Sequence, residues 1–443
     1  MAARDQPLAA PARLLSAPAR AADVPHRLTW TQTALAVLPA FVVTRLIALA
    51  AGAGAVSLWG TTARDGVPTS STFDPLGRSA ELSHGLSTLV APLVRWDSIW
   101  LLDVADVGYP TDYAPRTAFF PLYPLLVHLL GGLLQSPLLA GLVISGACAF
   151  GGTMIVHRLT DRELGRPAAT AAVWALLLFP GSLWLSAVYT EGLFLLLSAG
   201  CVMAARDERW ALAGGLGLLA ALTRSAGIVL VVAVLATAAE RWWRIRRARG
   251  DGATADGRRW SPRAPLLAAA AIPLGTGAYL LGLALSGWSW STPFSVQEQW
   301  GRQNVGPISG LLEALRAAGD GTARLLGIDA GGPSTAEAWM NVGLLLTLVA
   351  GLVALLGAAR RLPPAYAVYA GCALLLPLSA PVTGEAQPLM SLPRFLGVLF
   401  PLAMWVGWWA SRGSRPRAWA LALVGGALLA GAAALTARWT FVA

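Results

Sequence analysis

Apolar residues run through this chain in long stretches, and polar residues are gathered into short connectors between them. Residues 34–58, 137–156, 264–285 and 418–436 are stretches of this kind. A hydrocarbon core of roughly 30 Å takes about 20 helical residues to cross, so each is predicted to be a transmembrane helix. The first run starts late and is longer than a signal-peptide core of about 7–15 residues. More runs follow it, which argues against a secretory leader.

The connectors carry the charge. Segment 1–30 holds Arg4, Arg13, Arg20 and Arg27, and further arginines cluster in 157–166, 206–209, 241–263, 360–361 and 412–417. Cytoplasmic connectors of membrane proteins are enriched in Lys and Arg. With all six clusters in the cytoplasm, the helices between them form out-and-back pairs. The connectors left outside are 59–136, turns near Glu191 and Arg224, then 286–338 and 381–393. This scheme gives an all-α polytopic protein with about 11 transmembrane helices and a large first extracytoplasmic loop carrying amphipathic juxtamembrane helices. The expected division is a disordered cytoplasmic tail, 1–30, and one membrane domain, 31–443. Within it lie the first outer loop 59–136, a basic cytoplasmic linker 241–263 and an outer loop 286–338.

Two stretches fit less simply. Residues 119–134 are apolar but contain Pro121, Pro124 and His128. As a full span they would put Arg158, Arg162 and Arg166 outside, so a helix at the outer face is expected. Residues 211–239 fit two short spans hinged at Arg224 or a re-entrant hairpin. An arginine at membrane depth is costly unless it faces a cavity or a partner.

Only 13% of residues are charged and 56% are hydrophobic, which matches the reading above. The net charge is +10, but the basic residues are topogenic and are all arginine, so no nucleic-acid partner is indicated. The arginine-only usage points to a GC-rich genome and a bacterial plasma membrane. Cys148, Cys201 and Cys372 lie in apolar runs and read as small buried hydrophobes. No His/Asp/Glu cluster has metal-ligand spacing, and no cofactor is expected; a divalent metal has no support in the sequence.

The candidate chemistry lies in the first outer loop, at Arg95-Trp96-Asp97 and onward to Tyr109. Trp96, Ile99, Trp100, Val104 and Val107 recur at helical spacing, as in an interfacial amphipathic helix. Asp97 stands near its start, where the helix dipole favours an anion; a simple N-cap is the plain alternative. Asp103 and Asp106 read as a solvated face. Phe119, Phe120, Pro121, Tyr123 and Pro124 follow as a rigid, partly apolar floor suited to a lipid-phosphate substrate. Glu191, Arg224, Ser225 and Arg394 stand at the outer ends of other apolar runs. Each alone reads as a cap or a snorkelling side chain. Together they suggest a carboxylate base with phosphate clamps, because the guanidinium fork binds phosphate oxygens bidentately.

Trp96-Asp97, Ala105, Gly108-Tyr109, Ala118-Phe119-Phe120-Pro121 and Pro124 resemble the first lumenal loop of the PIG-V family, the second mannosyltransferases of GPI-anchor assembly and their bacterial relatives. Ser186 to Glu191 resembles that family's S-A-x-Y-S/T-E segment, Thr223-Arg224-Ser225-Ala226-Gly227 its R-S-N-G turn, and Pro393-Arg394-Phe395 its late P-R-F/Y motif. Gln297 to Gly306 weakly resembles a Q…N-V-G segment. Ala226 stands where the family often has Asn. The resemblance implies a GT-C-type glycosyltransferase fold and a polyprenyl-phosphate-linked mannose donor. It also implies inverting transfer to an extracytoplasmic acceptor: a glycolipid, polysaccharide or protein.

On that footing Asp97 is the expected general base, and Arg224, Ser225 and Arg394 bind the donor phosphate. Arg95, Trp96, Tyr109, Phe120, Tyr123 and Glu191 shape the acceptor and sugar site. The active site would lie on the outer face, with the N-terminus in the cytoplasm. The rivals are a GT-C transferase using another polyprenyl-phosphate sugar, and a flippase or transporter of lipid-linked sugars. A transporter would show mid-membrane charges and inverted repeats, of which the sequence shows little.

Overall fold

The computed structural model describes residues 28–60, 63–64, 67–68, 74, 77–80, 82–250, 261–329, 332–383 and 387–442. Most of the expected tail 1–30, and 251–260 of the expected linker, lie outside the described residues. Among the described residues the fold is helical apart from a short hairpin, Ala63–Arg64 against Val67–Pro68, and a single bridge between Arg302 and Val382. The principal helices are α1 (Trp30–Trp59), α2 (Asp97–Val107), α3 (Leu122–Leu134), α4 (Pro137–Leu164), α5 (Arg166–Leu178), α6 (Glu191–Arg206), α7 (Trp210–Thr223) and α8 (Leu230–Gly250). They continue with α9 (Arg263–Leu285), α10 (Pro307–Leu325), α11 (Thr335–Arg361), α12 (Pro364–Ser379), α13 (Leu392–Gly397), α14 (Phe400–Ser411) and α15 (Arg415–Ala437).

Among the described residues six helical stretches are long and apolar enough to cross a membrane: α1, α4, Ser225–Arg247, α9, α11 and α15. A seventh exists if α5 and Pro180–Ser186, bent by 80°, form one broken span. The chain is therefore a polytopic integral membrane protein. Local sequence sets the helix ends. Thr29 and Gln32 form a capping box at the start of α1, as Ser334 and Glu337 do for α11. Ser136 caps α4 with Pro137 in its first turn, and Gly165 ends that helix at a positive φ of 88°.

Both less simple stretches are helical. Helix α3 has 13 residues, about 20 Å of rise, against roughly 30 Å for a hydrocarbon core. Gln135 ends it in a left-handed conformation and the chain turns straight into α4. Residues 211–239 form two helices broken at Arg224, whose backbone is extended (φ −156°, ψ 150°) before a 3-10 turn, Ser225–Val229. The basic linker and the outer loop 286–338 both carry helical structure. Helix α8 runs on to Gly250, so the first half of the basic linker is helical; its Trp- and Arg-rich sequence holds no breaker before that glycine. The outer loop 286–338 is likewise largely folded, with the 3-10 turn Val296–Trp300 and α10 inside it.

The bend between α5 and Pro180–Ser186 leaves main-chain groups without helical partners. Arg45, from the middle of α1, meets that need. Its Nη1 donates to Ser182 O at 2.8 Å and Ser186 Oγ at 3.0 Å, and its Nη2 to Ser182 Oγ at 2.9 Å and Leu177 O at 3.3 Å. A broken helix at membrane depth requires such a substitute donor. At the far ends of α4 and α6, and against the middle of α8, a second network forms: Arg206 meets Glu163 at 2.9 Å and Glu240 at 2.6 Å, and Arg162 meets Asp207 at 2.6 Å. Glu240 also accepts from Ala365 N at 2.6 Å, which ties α12 in.

Candidate functional site

Four helix ends converge near the start of α2. Trp96 takes a left-handed backbone (φ 60°), which turns the chain sharply into α2 at Asp97. The turn before α6 is pinned alongside, with Val188 N donating to Leu93 O at 2.9 Å. The buried Tyr189 hydroxyl then joins the two segments. It accepts from Asp97 N at 3.1 Å and donates to Arg95 O at 3.0 Å. Burial, followed by the nearby Asp97 charge, pushes the Tyr189 pKa well above its ordinary value, so the hydroxyl keeps its proton and its donor role.

Glu191 is the first residue of α6, where the dipole favours its charge. It is only 1% exposed, whereas the Asp97 side chain is 29% exposed. Glycine fixes where Glu191 stands: a Cβ on Gly192 would lie 2.4 Å from Leu185 O. The same holds for Arg394. A Cβ on Gly181 would lie 2.0 Å from Pro393 O, so α13 rests directly on the broken-helix turn that Arg45 supports.

The structure brings Asp97, Glu191, Arg224 and Arg394 together. Arg394 Nη1 pairs with Asp97 Oδ2, while its Nε lies 3.0 Å from Glu191 Oε1. Arg224 Nη1 pairs with Glu191 Oε1 and reaches Thr190 Oγ1 at 3.3 Å. Burial alone would lower the Arg394 pKa, but Asp97 and Glu191 outweigh it and hold the guanidinium above its usual range. It is therefore a permanent cation shared by two carboxylates. Ser225, next to Arg224, is exposed at the start of its 3-10 turn.

A third arginine, not singled out in the sequence, joins them. Arg302 sits over the Phe395 ring at 5.8 Å, beside Arg224 at 5.3 Å and Arg394 at 5.6 Å. Its guanidinium donates to Ala380 O and Met390 O, each at 3.2 Å. Burial, then repulsion from Arg394, pulls its pKa down to about 10. Three guanidiniums against two carboxylates leave these five groups with one unit of positive charge, a setting that favours an anion. Arg302 lies inside the stretch Gln297 to Gly306, but it is not one of the residues that carry the resemblance there, and no apolar run begins or ends at it.

The expected sugar-site residues other than Glu191 go elsewhere. Arg95 donates to Ala437 O at 3.3 Å and lies 4.8 Å from the Trp439 ring; Trp96 packs edge-on against Trp439 and Phe441. Tyr109 donates to Phe119 O at 2.6 Å. Phe120 packs on Tyr279, and Tyr123 is fully buried, 2.8 Å from Ser145 Oγ. Asp103 is held by Arg116 at 2.6 Å and Asp106 by Arg78 at 2.7 Å. Among the described residues no three His, Cys, Asp or Glu side chains gather as a metal site. Beyond α13 an apolar cavity of about 460 Å³ opens, bounded by Phe179, Pro180, Leu396 and Gly397 at this end.

Comparison with known proteins shows the resemblance expected from the loop motifs. Residues 37–245 match the family described as Mannosyltransferase (PIG-V). Asp97, Glu191 and Arg224 fall inside the match; Arg302 and Arg394 lie beyond it. The chain is 32% identical over 176 residues to GPI alpha-1,6-mannosyltransferase 2 of Rattus norvegicus, covering 36% of this chain and 35% of that one. The protein of the same name from Cricetulus griseus is 32% identical over 177 residues (36% and 34%), and that from Mus musculus 33% over 169 (35% and 33%). The chain thus spans about a third of the length of the curated relatives it matches. No solved structure matches.

Proposed function

Taking the PIG-V match over residues 37–245 as the premise, we propose that this chain is a membrane mannosyltransferase that uses a polyprenyl-phosphate-linked donor. The observation that carries the reading is the shared Arg394, which holds Asp97 and Glu191 beside Arg224. A glycosyl phosphate needs a base for the incoming hydroxyl and fixed cations for the departing phosphate. This cluster contains both.

Exposure divides the labour between the carboxylates. Asp97 is accessible to substrate; Glu191 is closed off and orients the arginines. Asp97 removes the proton from an acceptor hydroxyl. The hydroxyl oxygen forms a bond to the anomeric carbon while the carbon–oxygen bond to phosphate breaks. The electron pair leaves with the polyprenyl phosphate. A β-linked donor gives an α-glycoside by this single inversion. Arg394 and Arg224 stabilise the phosphate as it gains charge, the contribution expected to be largest. Ser225 donates to the same group.

Depth favours a lipid-linked substrate. Helices α6 and α7 have 16 and 14 residues, about 24 and 21 Å of rise, less than a hydrocarbon core of roughly 30 Å. Their shared end therefore sits near the hydrocarbon boundary, where a lipid phosphate lies. The apolar cavity behind α13 supports the same view. Orientation follows from α6: it starts at the cluster and ends at Arg206, in the arginine network. With that network in the cytoplasm, the site faces outward. Eleven spans, as in a GT-C-type arrangement, are reached if α6, α7, α12 and the consecutive pair α13–α14 each cross beside the seven candidates, with α3 kept at the outer face by the turn at Gln135.

The test is transfer of labelled mannose from polyprenyl-phosphate-mannose by the purified full chain and by Asp97→Asn. Loss of at least about 100-fold in kcat, with an unchanged melting temperature, is the expected result. Wild-type turnover by the folded variant would remove Asp97 as the base.

A further inference from the structure

We propose that Trp100, Phe119 and Trp300 form a stacking subsite for a hexopyranose ring, placed beside Asp97. The inference rests on the transferase reading above and adds what that reading lacks, a surface for the sugar. Tyr109, Phe120 and Tyr123 are taken up by packing and main-chain hydrogen bonds. Trp100, Phe119 and Trp300 are partly exposed and face one another instead.

Trp100 stands three residues after Asp97 on α2, so both project from one face of the helix, with Cβ atoms about 5–6 Å apart. Its indole is within 12° of parallel to both Tyr113, at 5.5 Å, and Phe119, at 5.9 Å. Trp300 meets Trp100 and Phe119 edge-on, at 6.1 and 6.3 Å and at 85° and 89°. The result is a right-angled aromatic corner built from three separate segments. Trp300 lies two residues before Arg302, so its second wall is anchored to the charged cluster.

The plain alternative is an interfacial anchor, since Trp is common at headgroup depth. An anchor is expected to project into its surroundings, as Trp290 and Trp339 do at 67% and 65% exposure. The corner instead keeps four rings together and half-open, next to a carboxylate. A hexopyranose has one face of C–H groups and a rim of hydroxyls. Its C–H face suits an aromatic wall, and its rim then reaches Asp97. The ring is either that of the donor mannose or that of an acceptor sugar.

Full-length protein in nanodiscs would be titrated by calorimetry with three probes: a short-chain isoprenyl mannosyl phosphate, the same isoprenyl phosphate without sugar, and methyl α-mannopyranoside. Trp100→Leu and Trp300→Leu should each weaken a sugar-bearing probe about tenfold, leaving the sugar-free phosphate unchanged. Trp100→Phe should restore most of the loss. Weakening confined to the mannosyl phosphate assigns the donor ring; weakening of the methyl mannoside assigns an acceptor ring. The proposal falls if both sugar probes bind the variants as tightly as wild type, if all three probes weaken alike, or if wild type binds neither sugar probe. If Trp100→Leu does not fold, Trp300→Leu and Trp100→Phe carry the same comparison. Absence of mannosyl transfer with sugar binding that tracks Trp100 would sink the transferase reading alone. Normal transfer with Trp-independent sugar binding would sink the subsite alone.

Discussion

Arg394 holds two carboxylates that would otherwise repel each other, one open to solvent and one sealed. A single ammonium group on a flexible stem does not match that planar, two-sided geometry. Arg394→Lys should therefore lower kcat by about 100-fold, because the forked hold on the phosphate and the alignment of Asp97 are lost together even though a positive charge remains. KM for the donor should rise much less. A near-wild-type kcat in steady-state transfer assays would show that Arg394 is only a structural tie. Arg394, Arg224 and Glu191 are legible in the sequence because each stands at the end of an apolar run, where a charge is conspicuous, and Asp97 because it stands near the start of an amphipathic stretch in the first outer loop. Arg45 is not: one charge within residues 34–58 disappears into the surrounding hydrophobicity. Arg95 and Trp96 flank Asp97 in the loop segment that carries the family resemblance. The positive φ at Trp96 then turns the chain, so both meet the C-terminal end of α15 instead.

At the scale of elements, the site depends on a turn that carries no chemistry of its own. The break after α5 exists because Pro180 cannot continue the helix, and Arg45 takes up the carbonyls it frees. Gly181, in that turn, lets Pro393 come close, and Pro393 precedes Arg394. Gly181→Ala puts a methyl against main-chain oxygen and must push α13 outward. Displacement of catalytic groups by about 1 Å costs on the order of 100-fold in rate, while local overpacking costs about 1–3 kcal/mol. Activity should thus fall further than the melting temperature suggests. A variant with lowered stability but full kcat, measured in the same nanodiscs, would separate the turn from the site. Such contacts were invisible in sequence because they join residues more than 200 positions apart with no polar group to mark them. Helix lengths were more legible. The proline-bearing stretch 119–134 proved to be a helix of 13 residues that turns back at Gln135, and Arg224 proved to be a break between helices.

For the whole molecule, the decisive property is that charge is sorted to opposite ends of the same helices. Helix α6 carries Glu191 at one end and Arg206 at the other, and α7 leads back from Trp210 to Arg224. If α6 and α7 cross the membrane, as proposed above, the Asp97 cluster lies on the side opposite the Arg162–Arg206 network. Cysteine labelling decides the side. In a background lacking Cys148, Cys201 and Cys372, Glu313→Cys on α10 should react with an impermeant maleimide in intact cells. Arg166→Cys, at the exposed start of α5, should react only after permeabilisation. Reaction of Arg166→Cys in intact cells would reverse the orientation and place the Asp97 cluster in the cytoplasm. A nucleotide-sugar donor would then be accessible there, and the argument for a lipid-linked donor would rest on the depth of the short helices alone.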